Sequence, residues 1–186
     1  ALVRRQRQMC IRDSCYVDLK ESCLRSETTV KVFDQMRKLQ SYTDEGSPGR
    51  DWNVATGMVI EGKAGFQIMG DWAKGEFTAA GKTPGVDYYC SPTPSNNGYL
   101  YNVDSFIFYK TSDPDKQEGQ KLLAKLMMGK NFQKVFNLYK GSIPARLDVS
   151  MDEFDKCAKT SNADIKTAGA SGCLLYTSDA ADEPMR

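Results

Sequence analysis

The stretch WNVATGMVIEGKAGFQIMGDWAKGEF, residues 52–77, sets helical and apolar segments between glycines. Residues 51–61 predict a short helix, because a glycine follows at the point where a helix would end. The apolar run 64–69 lies between glycines and predicts a buried strand. Asp71 is placed to cap a helix over residues 72–80. This alternation of helix and strand indicates an α/β fold.

The rest of the chain continues the alternation. Helices are expected over residues 28–42, 114–128, 131–139 and 151–158, and strands over 86–90 and 100–109. The helix 131–139 is amphipathic, and four residues on its apolar side are expected to face inward: Phe132, Val135, Phe136 and Tyr139. The fold class predicted for the whole chain is therefore α/β.

Composition excludes several classes of function. The chain has 186 residues with 25 Lys and Arg against 24 Asp and Glu, a balance that disfavours binding to nucleic acid through phosphates. It contains no His, which removes Ser–His–Asp and Cys–His catalysis and all metal sites that need His. The mean hydropathy is −0.52, and no run approaches the roughly 18 apolar residues of a membrane span.

The two ends differ from the rest of the sequence. Residues 4–14 (RRQRQMCIRDS) and 173–183 (CLLYTSDAADE) resemble translations of a transposase-type sequencing adapter. A DNA word that encodes residues 4–13 has a reverse complement which, in another frame and extended by one codon, encodes residues 175–182. Both ends are therefore expected to be sequence scars with no native role, which lack tertiary partners that evolved with them.

The native part is expected to span residues 15–172, with residues 1–14 and 173–186 adapter-derived. It contains 20 basic and 20 acidic residues, so the arginine-rich start is no evidence for an RNA or membrane partner. Its four cysteines form no CxxC pair, so zinc ribbons and thioredoxin-type redox sites lack their spacing.

Two patterns suggest phosphate binding or catalysis, each with a plainer alternative. Gly62 and Lys63 resemble part of a phosphate loop, but Ala64 stands where Ser or Thr is required. Asp71 and Glu76 could be the paired carboxylates of a glycoside hydrolase. At i and i+5 of one helix they point in different directions, and helix capping with a solvated face explains both.

Three single residues lie where ligands meet α/β lobes. Trp72 follows a predicted strand, and its indole can stack on a sugar ring or pack in the core. Asp104 lies within an apolar predicted strand, and its carboxylate can accept two hydrogen bonds from sugar hydroxyls. Lys140 ends a predicted helix, where its charge suits the helix dipole and where it could donate to a sugar oxygen.

Three stretches together resemble the family 1 extracellular solute-binding proteins, the periplasmic sugar-binding proteins of ABC importers. They are residues 52–77, quoted above, 103–109 (VDSFIFY) and 136–148 (FNLYKGSIPARLD). The similarity follows the family's order over nearly all of residues 28–165 and is greatest to its glucose/mannose-binding branch. In that family two α/β lobes close around one sugar by a hinge motion, without chemistry.

The resemblance implies a site and its partners. It implies that Trp72 stacks on the sugar and that Asp104 and Lys140 bond its hydroxyls. A glucose-like monosaccharide, ABC permease subunits, a periplasmic location and a monomer are expected, with no cofactor, metal or nucleic acid. A carbohydrate-active enzyme that uses Asp71 or Glu76 is the alternative, and an interaction module that binds no sugar is a third possibility.

The resemblance also sets expectations for the cysteines and for completeness. It places cysteines at 90 and 157, and a Cys90–Cys157 disulfide suits the oxidising periplasm, whereas Cys15 and Cys23 are left unpaired. Family members are considerably longer, with sugar contacts from an N-terminal lobe and a His near the C-terminus. The chain is therefore expected to be a C-terminal fragment that holds half of a cleft and binds sugar poorly by itself.

The adapter assignment predicts that the native gene does not encode residues 4–14. Independent genomic reads through this gene should depart from the codons of residues 4–14, because an adapter is joined to the insert and is not part of the genome. Sequencing the flanking DNA measures this. Continuous genomic sequence matching residues 4–14 in independent reads would show that they are native.

Overall fold

The computed structural model describes residues 19–93, 99–171 and 174–176. This part of the chain is helix-rich. Its helices are α1 (Glu21–Leu24), α2 (Glu27–Gln40), α3 (Trp52–Ile60), α4 (Lys74–Ala79), α5 (Pro114–Met127), α6 (Lys130–Lys140) and α7 (Lys156–Ser171). The strands are β1 (Tyr99–Tyr101) and β2 (Leu174–Tyr176), and 3₁₀ turns cover Ser47–Gly49 and Asp71–Ala73. Within these residues no helix combines the length and the apolar character needed to cross a membrane.

Helix boundaries follow local capping chemistry. The Ser26 hydroxyl accepts a backbone hydrogen bond at the start of α2, and Asp113 accepts two at the start of α5. Gly141 ends α6 with φ 85°, a left-handed conformation that glycine adopts without strain. These caps confirm the predicted helices 28–42, 114–128 and 131–139, whose ends differ from α2, α5 and α6 by a residue or two.

The predicted strands are mostly wrong. Residues 64–69 form no strand, and Phe66 is 97% exposed. Residues 86–90 form no strand either; the isolated bridge there joins Pro84 to Tyr88. Of residues 100–109, only the first two lie in a strand, β1. Extended chain becomes a strand only where a neighbour satisfies its backbone groups, and the described residues supply such a neighbour only for β1.

That neighbour comes from the C-terminal string. β1 and β2 pair in parallel, with Tyr99 opposite Leu174. Residues 174–176 therefore have a neighbour in β1, and their apolar Leu-Leu-Tyr sequence suits an open strand edge. The adapter origin of this string stays a prediction, and residues 1–18 and 177–186 lie outside the described part.

Helix α7 begins at Lys156, where the Asp155 carboxylate accepts a hydrogen bond from the Ala158 N–H at 2.8 Å. The helix predicted over residues 151–158 is therefore displaced. The core lies beside this start of α7. Partly buried Leu138, Ile143 and Met151 pack against a buried cluster of Val149, Phe154 and Ala158. Nearby, the Phe77 and Tyr88 rings stack with their centres 4.1 Å apart.

Helix α6 turns the opposite side inward from the one predicted. Gln133 and Asn137 are buried. The Gln133 amide donates to Met127 O at 2.9 Å and accepts from Ala145 N at 3.0 Å, so it satisfies two turns at once. The apolar side of α6 lies open along α5, with most of its residues exposed: Val135, Phe136 and Tyr139. Phe132 on the same side is half-buried.

The predicted disulfide is confirmed. Cys90 and Cys157 are bonded, with their Cα atoms 5.7 Å apart, and tie the segment after Tyr88 to α7. Cys23 is also disulfide-bonded, so the expectation that it is unpaired is wrong. Cys15 lies outside the described residues.

Replacing both Cys90 and Cys157 by Ser is expected to lower the free energy of unfolding. The two residues are 67 apart in sequence, and the chain-entropy model assigns about 4 kcal/mol to a loop of that length. Urea denaturation of the chain measures the loss. The double substitution is a cleaner test than dithiothreitol, which would also reduce the Cys23 disulfide. A loss below about 1 kcal/mol would contradict the entropic account.

Candidate functional site

Trp72 lies in the 3₁₀ turn that leads into α4. Its indole folds back on the backbone of Gly70, so that a Cβ at position 70 would overlap the six-membered ring. The Trp72 side chain is half-buried. One part of the ring is therefore held by backbone while another part faces solvent, which is the arrangement that a stacking platform needs.

Asp104 and Lys140 form an ion pair between Asp104 Oδ2 and Lys140 Nζ. Lys140 lies at the C-terminal end of α6, where the helix dipole favours a cation. Asp104 lies in the exposed stretch after β1. The Lys140 side chain is 30% exposed and the Asp104 side chain 56%, so the pair is open to water and contributes little net energy.

A close backbone contact joins α4 to the end of α6. A Cβ on Gly75 would lie 2.9 Å from Lys140 O and 3.3 Å from Tyr139 O. A Cβ on Gly141 would lie 2.6 Å from Gly75 N. Because backbone lies on both sides, neither segment can yield without moving a helix. The contact sets the Trp72 turn, three residues before Gly75, against the end of the helix that carries Lys140.

Asp71 does not cap the helix after it, so that prediction is wrong. Its Oδ2 instead accepts a hydrogen bond from Ile143 N at 3.1 Å, because the side chain turns toward the loop after α6. Burial raises the pKa of Asp71. Lys74, the Ile143 N–H, the Ser142 hydroxyl and Lys140 act in the opposite direction.

An ion pair between a buried lysine and a half-buried aspartate holds the other side of α4. The Lys74 side chain is 7% exposed, and its Nζ lies 2.9 and 3.3 Å from the two carboxylate oxygens of Asp155. The same carboxylate caps α7. One Asp side chain thus fixes α4 relative to α7, and it satisfies a buried ammonium that would be costly to leave unpaired.

Sequence reasoning missed Lys74, Gly75 and Asp155. Gly75 gave a signal, because a glycine in the first turn of a predicted helix weakens it unless a close contact requires it. Lys74 gave none, since lysine is rarely buried. Asp155 precedes a helix that was predicted to begin too early.

The arrangement offers an aromatic ring and an open acceptor–donor pair. The structure brings Asp104 and Lys140 together, and it anchors the Trp72 turn to the helix end beside them through Asp71 and Gly75. Glu76 is exposed. In the part of the chain that the structure describes, no group of three or more His, Cys, Asp or Glu residues could hold a metal ion.

Comparison with known proteins places the chain in a family. The family model of bacterial extracellular solute-binding proteins matches residues 13–166. The chain belongs to that family. Solute-binding proteins are not enzymes, which argues against the glycoside hydrolase that would use Asp71 or Glu76.

The Gly62-Lys63 pair is the other pattern that the sequence offered as a ligand site. It forms a turn after α3, with φ 73° at Gly62.

Several solute-binding proteins resemble the chain over most of its length. A probable sugar-binding periplasmic protein of Brucella suis is 48% identical over 161 residues, which are 86% of this chain and 38% of that protein. One of the same name from Mesorhizobium japonicum is 48% identical over 159 residues, 85% of this chain and 38% of that protein. The xylose/arabinose-binding protein XacG of Haloferax volcanii is 29% identical over 127 residues, 67% of this chain and 27% of that protein. The chain thus spans less than half the length of these curated relatives.

Substituting Gly75 by Ala is expected to lower the free energy of unfolding by about 1–3 kcal/mol, because the added Cβ meets backbone oxygens. Gly57 is the matched control, since it lies inside α3 with no atom within 4 Å of its Cβ position. Gly57→Ala should raise the same free energy by up to about 1 kcal/mol. Urea denaturation compares the two variants. Equal effects would mean that the contact at Gly75 is absent.

Proposed function

We propose that the chain is the C-terminal part of the periplasmic sugar-binding component of an ABC importer, and that its site takes a glucose-like monosaccharide. One observation carries the proposal: Asp71 and Gly75 tie the turn that carries the half-buried Trp72 to the end of α6, where Lys140 pairs with Asp104. The names of the 48% identical relatives support the ligand class.

The chemistry of the three side chains suits a sugar. A pyranose presents a C–H face that stacks on an indole, and its hydroxyls both donate and accept hydrogen bonds. Asp104 is an acceptor and Lys140 a donor, so one hydroxyl group can meet both. These bonds are charge-assisted and therefore stronger than neutral ones. No bond is made or broken, and the sugar leaves unchanged.

The openness of the site fits one wall of a cleft. Asp104 is more than half exposed, whereas a bound ligand usually has most of its surface buried. The second wall would come from a part of the longer protein outside this chain, since relatives are covered over only 38% of their length. In the proposed mechanism two lobes close on the sugar by a hinge motion, and the closed form docks as a monomer on the ABC permease.

A pentose is the second candidate ligand, because one relative is named for xylose and arabinose. Calorimetric titration of the full-length protein with glucose, mannose, xylose and arabinose separates the two candidates. Tightest binding of glucose or mannose supports a hexose, and tightest binding of a pentose supports the alternative. Binding of none of the four contradicts the proposed function.

In the full-length protein, Trp72→Ala and Asp104→Ala are each expected to weaken glucose binding by roughly 2–4 kcal/mol, or about 30- to 900-fold. The first removes the stacking surface and the second removes a charged acceptor. Lys140→Ala should cost less, because its ammonium is partly hydrated. Isothermal titration calorimetry measures each affinity.

Tyr42→Ala is the matched control, since Tyr42 is an exposed aromatic residue just after α2 with no proposed role. Its affinity for glucose should equal that of the wild type. All four variants should remain folded, as circular dichroism can show. Wild-type affinity in both Trp72→Ala and Asp104→Ala would refute the site assignment.

A further inference from the structure

We infer that Asp71 is a positioning residue of this site, whose carboxylate holds the Trp72 turn against the loop after α6 and so fixes the indole relative to Lys140 without touching the sugar. The inference deepens the proposed function and rests on it. No step of it requires a further ligand or partner.

The Asp71 carboxylate joins the two segments that carry these side chains, since it accepts from the Ile143 N–H and from the Ser142 hydroxyl. Asp71 immediately precedes Trp72, and its Oδ2 accepts from Ile143 N at 3.1 Å across 72 positions of sequence. Ile143 lies three residues after Lys140, in the loop that begins at Gly141. Loss of the carboxylate would therefore leave the Trp72 turn held to the end of α6 by the contact at Gly75.

The bond works together with a second contact on the other side of Trp72. Gly75 touches the backbone at Lys140 and Gly141, as described above. One contact would let the Trp72 turn pivot, whereas two contacts that flank the indole fix its direction. Of the two contacts, the one made by Asp71 can be tested by substitution, because it is made by a side chain and can be removed without adding volume.

The charge of Asp71 is not what stabilises the fold. Burial raises the pKa of its carboxyl, so the folded pKa lies above the unfolded one. The folded state then gains stability as the pH falls through the folded pKa, which means that the ionised form is a cost at neutral pH. The hydrogen bonds from the Ile143 N–H and the Ser142 hydroxyl, together with the charges of Lys74 and Lys140, offset part of that cost.

Removal of the acceptor is the test. In the full-length protein, Asp71→Ala should weaken glucose binding about tenfold, the loss expected for one partly buried hydrogen bond. Asp71→Asn keeps an acceptor oxygen for the Ile143 N–H, so it should restore affinity to within about twofold of the wild type. Glu76→Ala is the matched control, because Glu76 is an exposed carboxylate on α4, and it should bind as the wild type does.

A second readout keeps the test independent of folding and of the ligand. Should Asp71→Ala unfold, Asp71→Leu keeps the volume without an acceptor and takes its place. Hydrogen exchange of the Ile143 amide in the 186-residue chain should be faster in the acceptorless variant and near wild type in Asp71→Asn.

The outcomes separate the two claims. Wild-type sugar affinity in the acceptorless variant, or failure of Asp71→Asn to rescue affinity, overturns the positioning role. Absence of any sugar binding by the wild type overturns the proposed function instead. In that case the Ile143 exchange rates decide the inference: a difference between the two variants supports it, and equal rates overturn it.

Discussion

The backbone contact between Gly75 and the end of α6 is the constraint on which the candidate site depends. Any side chain at position 75 would press on Tyr139 O and Lys140 O, and Gly141 must adopt a left-handed conformation in the same place. Two glycines therefore let α4 and α6 approach closely enough for Asp71 to reach Ile143 N. The pair of the buried Lys74 with Asp155 fixes the opposite side of α4 on α7. Helix α4 is thus fixed between α6 and α7, and its position sets the geometry of the site.

Two ion pairs of the same chemistry serve different purposes because their surroundings differ. Lys74 is almost fully buried, so its pair with Asp155 is costly to break and acts as a structural tie. Lys140 and Asp104 are open to water, so their pair contributes little to stability. An open pair can exchange water for sugar hydroxyls at small cost, whereas breaking the pair of Lys74 would leave a buried ammonium unpaired. The exposure of the lysine, and not the residue type, separates the proposed ligand contacts from the framework.

Local chemistry could be predicted from the sequence, and long-range partners could not. The start of α5 at Asp113 and the end of α6 at the glycine after Lys140 could be predicted, since helix ends depend on neighbouring residues. The strand expected at 64–69 failed because strands need a partner, which no local pattern reveals. The inward-facing side of α6 was predicted wrongly, because Gln133 forms hydrogen bonds with the turns before and after the helix. Asp71 was assigned to a cap when its partner lies 72 positions away. The disulfide was foreseen through family resemblance alone.

A crystal structure of the full-length protein with bound glucose tests the account most directly, because it shows the ligand and the Asp71 bond at once. The account predicts a sugar ring stacked on Trp72, with hydroxyls within hydrogen-bond distance of Asp104 and Lys140. It also predicts that the Asp71 carboxylate stays on Ile143 N and away from the sugar. A sugar bound elsewhere, or an Asp71 carboxylate that leaves Ile143 to bond the ligand, would contradict it.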